Sequence, residues 1–168
     1  MPLGNTYRGQ TCSIASALEV VGERWTLLIV RQVMLGVRRF DEIQRDLGIA
    51  RNVLQARLEH LERAGILERR RYHDSPIRYE YRLTEAGRDL WPVLVSLLQW
   101  GDAHLPRDEG PPVHLEHRGC GGAVDTHRMC TRCGAALEYG DVVGRPGRDL
   151  PAGHPLLRRA AAAVSAGG

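Results

Sequence analysis

The chain has 168 residues and a formal net charge of +3, enough length for one compact domain with a real core plus an appendage. No run approaches bilayer length and the start lacks a charged-then-apolar leader, so the expectation is a cytoplasmic protein without a membrane partner. All 23 basic residues are arginine and none is lysine. Genome composition alone accounts for such a bias, although arginine also supplies the planar fork that suits phosphates and guanine edges.

In chain order, residues 1–11 read as an N-terminal arm. From Cys12, "CSIASALEVVG" predicts a short helix that stops near Gly22. "ERWTLLIVRQVMLG" follows, with Trp25, Leu28, Ile29, Val33 and Met34 at helical spacing, apolar nearly all round as a central helix should be. "RRFDEIQRDLG" is a third helix carrying Phe40, Ile43 and Leu47 on one face, with Gly48 as its stop. "ARNVLQARLEHLERAG" is a fourth, with Leu54, Leu58 and Leu61 as core stripe. Then the period changes: "ILERRRYH" and "RYEYRLT" alternate like strands around the turn residues "DSP", predicting a β-hairpin. Thr84 is placed to cap a last long helix, "EAGRDLWPVLVSLLQWGDAHL", whose wide apolar face is Leu90, Val93, Leu94, Leu97 and Leu98.

Residues 106–113 have linker composition, residues 114–144 form a much smaller unit rich in Cys and His, and residues 145–168 read as a disordered tail with a weakly helical Ala-rich end. The predicted fold class is therefore mainly α with a β-hairpin wing: a winged helix-turn-helix over residues 12–105, plus a C-terminal Cys/His knuckle unit.

In a winged helix-turn-helix, the fourth helix enters the major groove of double-stranded DNA while the hairpin rides over the backbone. With the leucines turned inward, Asn52 faces out and Gln55 lies on the flank, so Arg51, Asn52 and Gln55 near the N-terminus are the candidates for base edges. Arg57 lies nearer the core stripe and serves equally well as a DNA contact or as the partner of a carboxylate. Arg38 and Arg39, just before the third helix, are placed to hold phosphate. Alternation puts Arg69 and Arg71 on one face of the hairpin and Arg70 on the other. Arg71, and Arg78 at the wing tip, are the expected backbone contacts. The bland alternative is an amphipathic hairpin whose arginines only solvate an exposed face.

Several stretches in order make the sequence similar to the HxlR-type transcription regulators, relatives of the MarR group, over roughly Cys12 to Leu105. They are the Cys-x-Ile start, "GERWTLLI", "RRF", "RLEHLERAG" and "PIRYEYRLTEAG". The resemblance implies a homodimer that binds a near-palindromic operator, often as a repressor, and dimerises through its first and last helices. The sequence departs from the family at Ala50 and Arg51, where members often carry Ser then Pro, so a helix cap is lost and an arginine gained.

Two routes to an effector are legible. Cys12 begins a helix, where the dipole favours thiolate, and some members of the resembled family sense oxidants at this place; an inert packed thiol is the alternative. Trp25, Trp91 and Trp100 outline a small-molecule pocket, although stripes at this spacing also arise as plain core.

Four Cys in a cytoplasmic chain point to metal or redox chemistry before structural disulfides. Three of them lie in the small unit, where "His117-x-x-Cys120-Gly" and "Cys130-x-x-Cys133-Gly" are two ligand pairs suited to one tetrahedral Zn²⁺, structural because four protein ligands leave no open position. His114 and His127 compete with His117 for the non-Cys corner, and a decayed ribbon or a set of redox thiols are the other readings. No nucleophile–base pair or phosphate-binding glycine loop is visible, so no enzyme is expected. The different-class alternative to a DNA-binding regulator is a winged-helix protein-interaction module.

Overall fold

The computed structural model describes Tyr7, residues 11–148 and residues 150–158. Most of the arm expected at 1–11 and the Ala-rich end of the tail lie outside the described residues. The elements run α1 (Ser13–Val21), α2 (Thr26–Met34), α3 (Phe40–Leu47), α4 (Arg51–Arg63), β1 (Leu67–Asp74), β2 (Ile77–Leu83), α5 (Glu85–Arg88), α6 (Trp91–His104), β3 (Val113–His117) and β4 (Val142–Pro146). They fall into two compact units, one ending at Gly87 and the other starting at Arg88.

The first unit is built on the predicted stripes. Leu54, Leu58 and Leu61 of α4, Ile29 of α2 and Ile43 of α3 are all but fully buried. Each such side chain contributes roughly 1.5–3 kcal/mol relative to exposure. α2 is less uniformly apolar than its sequence suggests, because Thr26 and Gln32 are buried with it. Gln32 is partnered: its carbonyl accepts from Arg31 Nη2 at 3.1 Å, and its amide nitrogen donates to Asp46 Oδ2 at 3.3 Å. That polar bridge joins α2 to α3 across the core, and a buried amide needs such partners.

β1 and β2 pair antiparallel with Arg69 opposite Tyr81 and Arg71 opposite Tyr79, until an irregularity between Arg71 and His73 shifts the register. The turn is the short Ser75–Pro76 connection between the strands. The segment before α3 joins this ribbon, since the Tyr81 N–H donates to the Arg38 carbonyl at 2.8 Å. α3 and the wing are thereby tied through backbone.

The long helix expected after Thr84 is instead two helices. Thr84 does cap the first, its Oγ1 accepting from the Gly87 N–H at 3.1 Å. The break follows from Pro92, which has no N–H to offer the Arg88 carbonyl four residues back and whose ring would collide with it. α6 therefore restarts at Trp91, with Pro92 in its first turn.

In the second unit, β3 and β4 pair antiparallel from Val113↔Pro146 to His117↔Val142. They bracket the knuckles, which fold through short bridges such as Val124 with Cys130 and Met129 with Ala136. Gln99 of α6 ties this hairpin down, its Nε2 donating to the carbonyls of Val124 at 3.2 Å and Asp125 at 2.9 Å. Where the sequence suggested a disordered tail from residue 145, β4 runs on to Pro146 and residues 155–158 form a helical turn. Leu156 of that turn is buried, and Gly144 of β4 lies close beneath it.

Candidate nucleic-acid interface and metal centre

The outer, N-terminal face of α4 is open. Arg51, Asn52 and Gln55 are exposed, while the leucines between them point inward. Arg51 is steered by α3: its guanidinium lies 4.8 Å over the Phe40 ring, and Nη1 is 3.8 Å from Asp41 Oδ1. Its side chain stays 71% exposed, so these contacts orient it without consuming its donors. Gln55 donates to Glu59 Oε1 at 3.1 Å, one turn along the same face. Arg57 is half-buried, as its angle on the helix requires. Ala50 occupies the N-cap position with no side-chain hydrogen bond to the helix start. Relative to a Ser there, that forgoes about 0.5–2 kcal/mol.

Arg38 and Arg39 are exposed at the start of α3. The Arg39 guanidinium stacks 4.8 Å over Tyr72 of β1, so the helix start and the wing share one arginine–aromatic contact. Arg69 stacks on Tyr79 at 4.6 Å. Arg71 is paired with Asp74 at 2.9 Å, a largely exposed contact that water screens. Arg78 is exposed and has no ion pair among the described residues. Tyr72 was not singled out from the sequence, and Phe40 was singled out only as part of the apolar face of α3. Their signal is only that an aromatic follows or faces each arginine in a packed fold.

At the other end of the chain, His117, Cys120, Cys130 and Cys133 converge, their ligand atoms all within 4.8 Å of one another. His117 Nδ1 is 3.4 Å from Cys120 Sγ and 3.3 Å from Cys133 Sγ. Cys120 Sγ and Cys130 Sγ are 3.3 Å apart. This cluster could hold a metal ion. Of the three competing histidines it takes His117, which ends β3 and whose carbonyl accepts the Gly121 N–H at 2.7 Å. His114 and His127 are exposed outside the cluster.

The knuckle turns need their glycines. Gly121 and Gly134, each following a cysteine of the cluster, have φ of +73° and +72°. Gly122, unnoticed in the sequence although "GG" after a cysteine of the cluster is a usable cue, is constrained by space. A Cβ there would lie 2.5 Å from Cys130 Sγ. Arg132 closes the turn from the other side, its Nη1 donating to the Cys120 carbonyl at 2.6 Å. The Cys133 backbone N–H, and after it that of Arg132, hold the Cys130 thiol down at about 6. At Cys120 the Gly122 N–H favours thiolate, but the adjoining Cys130 sulfur and burial outweigh it and push that thiol up.

Cys12 sits at the N-cap of α1, exposed. Backbone N–H groups of Ala15, then Ile14, hold its thiol below the usual range. The three tryptophans are divided between the two units. Trp25 belongs to the first unit, half-buried with Arg24 4.9 Å over its ring. Trp91 and Trp100 are nine residues apart on α6, which turns them about 180° from each other. Trp91 is buried, whereas Trp100 is 57% exposed. Trp100 lines an open groove of about 560 Å³ with Pro92, Val93, Ser96, Leu97 and Arg128.

Residues 20–109 match the HxlR-like helix-turn-helix family. The chain belongs to that family. An uncharacterised HTH-type transcriptional regulator from Mycobacterium tuberculosis is 49% identical over 145 residues, which are 86% of this chain and 90% of that protein. Its similarity therefore runs past the family match into the C-terminal unit. The crystal structure of PA1607, described as a transcription factor, is 36% identical with a TM-score of 0.64 over 84% of this chain and 97% of that one. The redox regulator HypR in its oxidised form is 35% identical with a TM-score of 0.50, over 58% of this chain and 99% of its own. The HxlR-like chain is a transcriptional regulator of the winged-helix type, and its family and relatives are regulators rather than enzymes. No helix among the described residues is long and apolar enough to cross a membrane.

Proposed function

We propose that this HxlR-like protein is a cytoplasmic, sequence-specific repressor that binds a near-palindromic operator as a homodimer. The observation that carries the reading is the open N-terminal face of α4, where exposed Arg51, Asn52 and Gln55 stand on a fully buried leucine stripe. Arginine there suits guanine, and Asn or Gln suits adenine. Arg38, Arg39, Arg71 and Arg78 take phosphates around it, and Arg57 serves the same surface from its flank. Dimerisation is supported by apolar side chains exposed on the helices that the family uses: Ile14 and Leu18 on α1, and Val93, Leu97 and Trp100 on α6. Relief of repression comes through oxidation of Cys12, whose exposed thiol is already biased to thiolate.

The His/Cys cluster holds one structural zinc. Zn–S bonds of about 2.3 Å set tetrahedral ligand-to-ligand edges of about 3.8 Å. The contacts of 3.3–3.4 Å within a 4.8 Å cluster bracket that edge. Three sulfurs and one imidazole are a donor set that zinc takes readily. Bound there, zinc would crosslink two turns that have little apolar core of their own.

The test is fluorescence anisotropy of the reduced protein on DNA from upstream of its own gene and on scrambled duplex of equal length, over a salt series. The expected preference is about a thousandfold or more, falling steeply with salt, and Arg51→Ala should erode it. Loss of all DNA binding at low salt would favour a protein-interaction module instead.

A further inference from the structure

We infer that the C-terminal cluster is an oxidation site for hydroperoxides, in which Cys120 and Cys130 join as a disulfide and the metal is released. This rests on the reading of the cluster as a zinc site. The geometry separates the three sulfurs by access and by neighbour. Cys130 is 2% exposed and Cys120 half-buried, and their Sγ atoms are already 3.3 Å apart. Closing by about 1.3 Å brings that pair to a covalent S–S distance of about 2.05 Å. Cys133 is more exposed; its sulfur and that of Cys120 both lie against His117 Nδ1, at 3.3 and 3.4 Å, so the pairing rests on the 3.3 Å approach of Cys120 to Cys130.

The chemistry balances with hydrogen peroxide as oxidant. The Cys120 sulfur, deprotonated as a zinc ligand must be, attacks one peroxide oxygen; the S–O bond forms, the O–O bond breaks, and the departing hydroxide takes a proton from solvent to leave as water. Cys130, buried beside the resulting sulfenic acid, then attacks its sulfur with its own electron pair. The S–S bond forms, the S–O bond breaks, and the second hydroxide leaves as water with another proton. Two thiolates have lost one electron each, and the peroxide has gained both. Two of the four ligands are thereby withdrawn, leaving His117 and Cys133, too few for a closed site. The change reaches α6 directly, because Gln99 holds the carbonyls of Val124 and Asp125 in the loop between the two cysteines.

The experiment uses the full-length Cys12→Ser protein, so that the thiol at α1 contributes nothing, purified reduced and assayed first for zinc by elemental analysis. Hydrogen peroxide is added, zinc release is followed with a chromogenic chelator, and disulfides are mapped by peptide mass spectrometry. The expected result is zinc release in step with a Cys120–Cys130 disulfide, with zinc uptake restored by a phosphine reductant. Bound zinc that survives peroxide with all three thiols intact would overturn the inference and leave the zinc site standing. A Cys130–Cys133 disulfide, or oxidation that stops at sulfinic acid, would overturn the assigned pairing. Absence of zinc from the reduced protein would overturn the zinc site itself and its release together.

Discussion

Gly122 offers the sharpest check on the proposed zinc site, because replacing it with alanine adds one methyl at a place with no room. The new Cβ would lie 2.5 Å from Cys130 Sγ and 2.6 Å from the Arg132 Cβ, with the Arg132 backbone nitrogen at 3.0 Å. Ordinary contact is about 3.5 Å or more, so the sulfur or the turn must retreat by roughly 1 Å. Metal–ligand distances tolerate only about 0.2 Å, so the sulfur cannot retreat and stay a good ligand. Overpacking of this kind costs about 1–3 kcal/mol, which corresponds to roughly 5- to 150-fold weaker zinc binding. A chelator-competition titration of the two proteins measures that ratio. Gly101→Ala is the matched control: a Cβ there meets nothing within 4 Å, so zinc affinity should not change. If Gly122→Ala binds zinc as tightly as the parent chain, the cluster does not act as a ligand set.

Three further outcomes are expected. Arg78→Ala should weaken binding to operator and scrambled DNA alike and lower the salt slope by about 1, read by anisotropy; a change in sequence preference would mean that Arg78 reads bases. Leu58→Ala, at a position 1% exposed, should cost about 2–5 kcal/mol in thermal or urea unfolding, and a near-zero cost would mean α4 does not pack as described. For Cys12, the Ala15 and Ile14 N–H groups lower the folded pKa, so thiolate is favoured above the unfolded pKa and that advantage is lost as pH falls through the folded one. The pH midpoint of its alkylation should therefore lie below that of the same chain in urea; coincident midpoints would remove the electrostatic basis for a sensor.

Local pattern was enough wherever the controlling interactions lie within a few residues. Leu54, Leu58 and Leu61 recur at helical spacing and are buried together. "DSP" sits between two strand-like runs, and its Ser75 and Pro76 become their turn while Asp74 ends β1. Thr84 precedes a helix and caps it. The pairs His117/Cys120 and Cys130/Cys133 could be read as one cluster because each needs only one tight turn. The break before Trp91 was also written locally, in Pro92, whose missing N–H interrupts a helix begun at Glu85 and costs little in the first turn of one begun at Trp91.

Tertiary structure decided what depends on residues distant in sequence. The choice of His117 over His114 and His127 depends on where β3 ends relative to a cysteine pair many residues later. The burial of Gln32 depends on Asp46 arriving from α3 to receive its amide. The orientation of Arg39 depends on Tyr72 reaching back from the wing. The exposure of Trp100 against the burial of Trp91 depends on which side of α6 is covered. In each case a periodic pattern names a face, and only packing says what meets it.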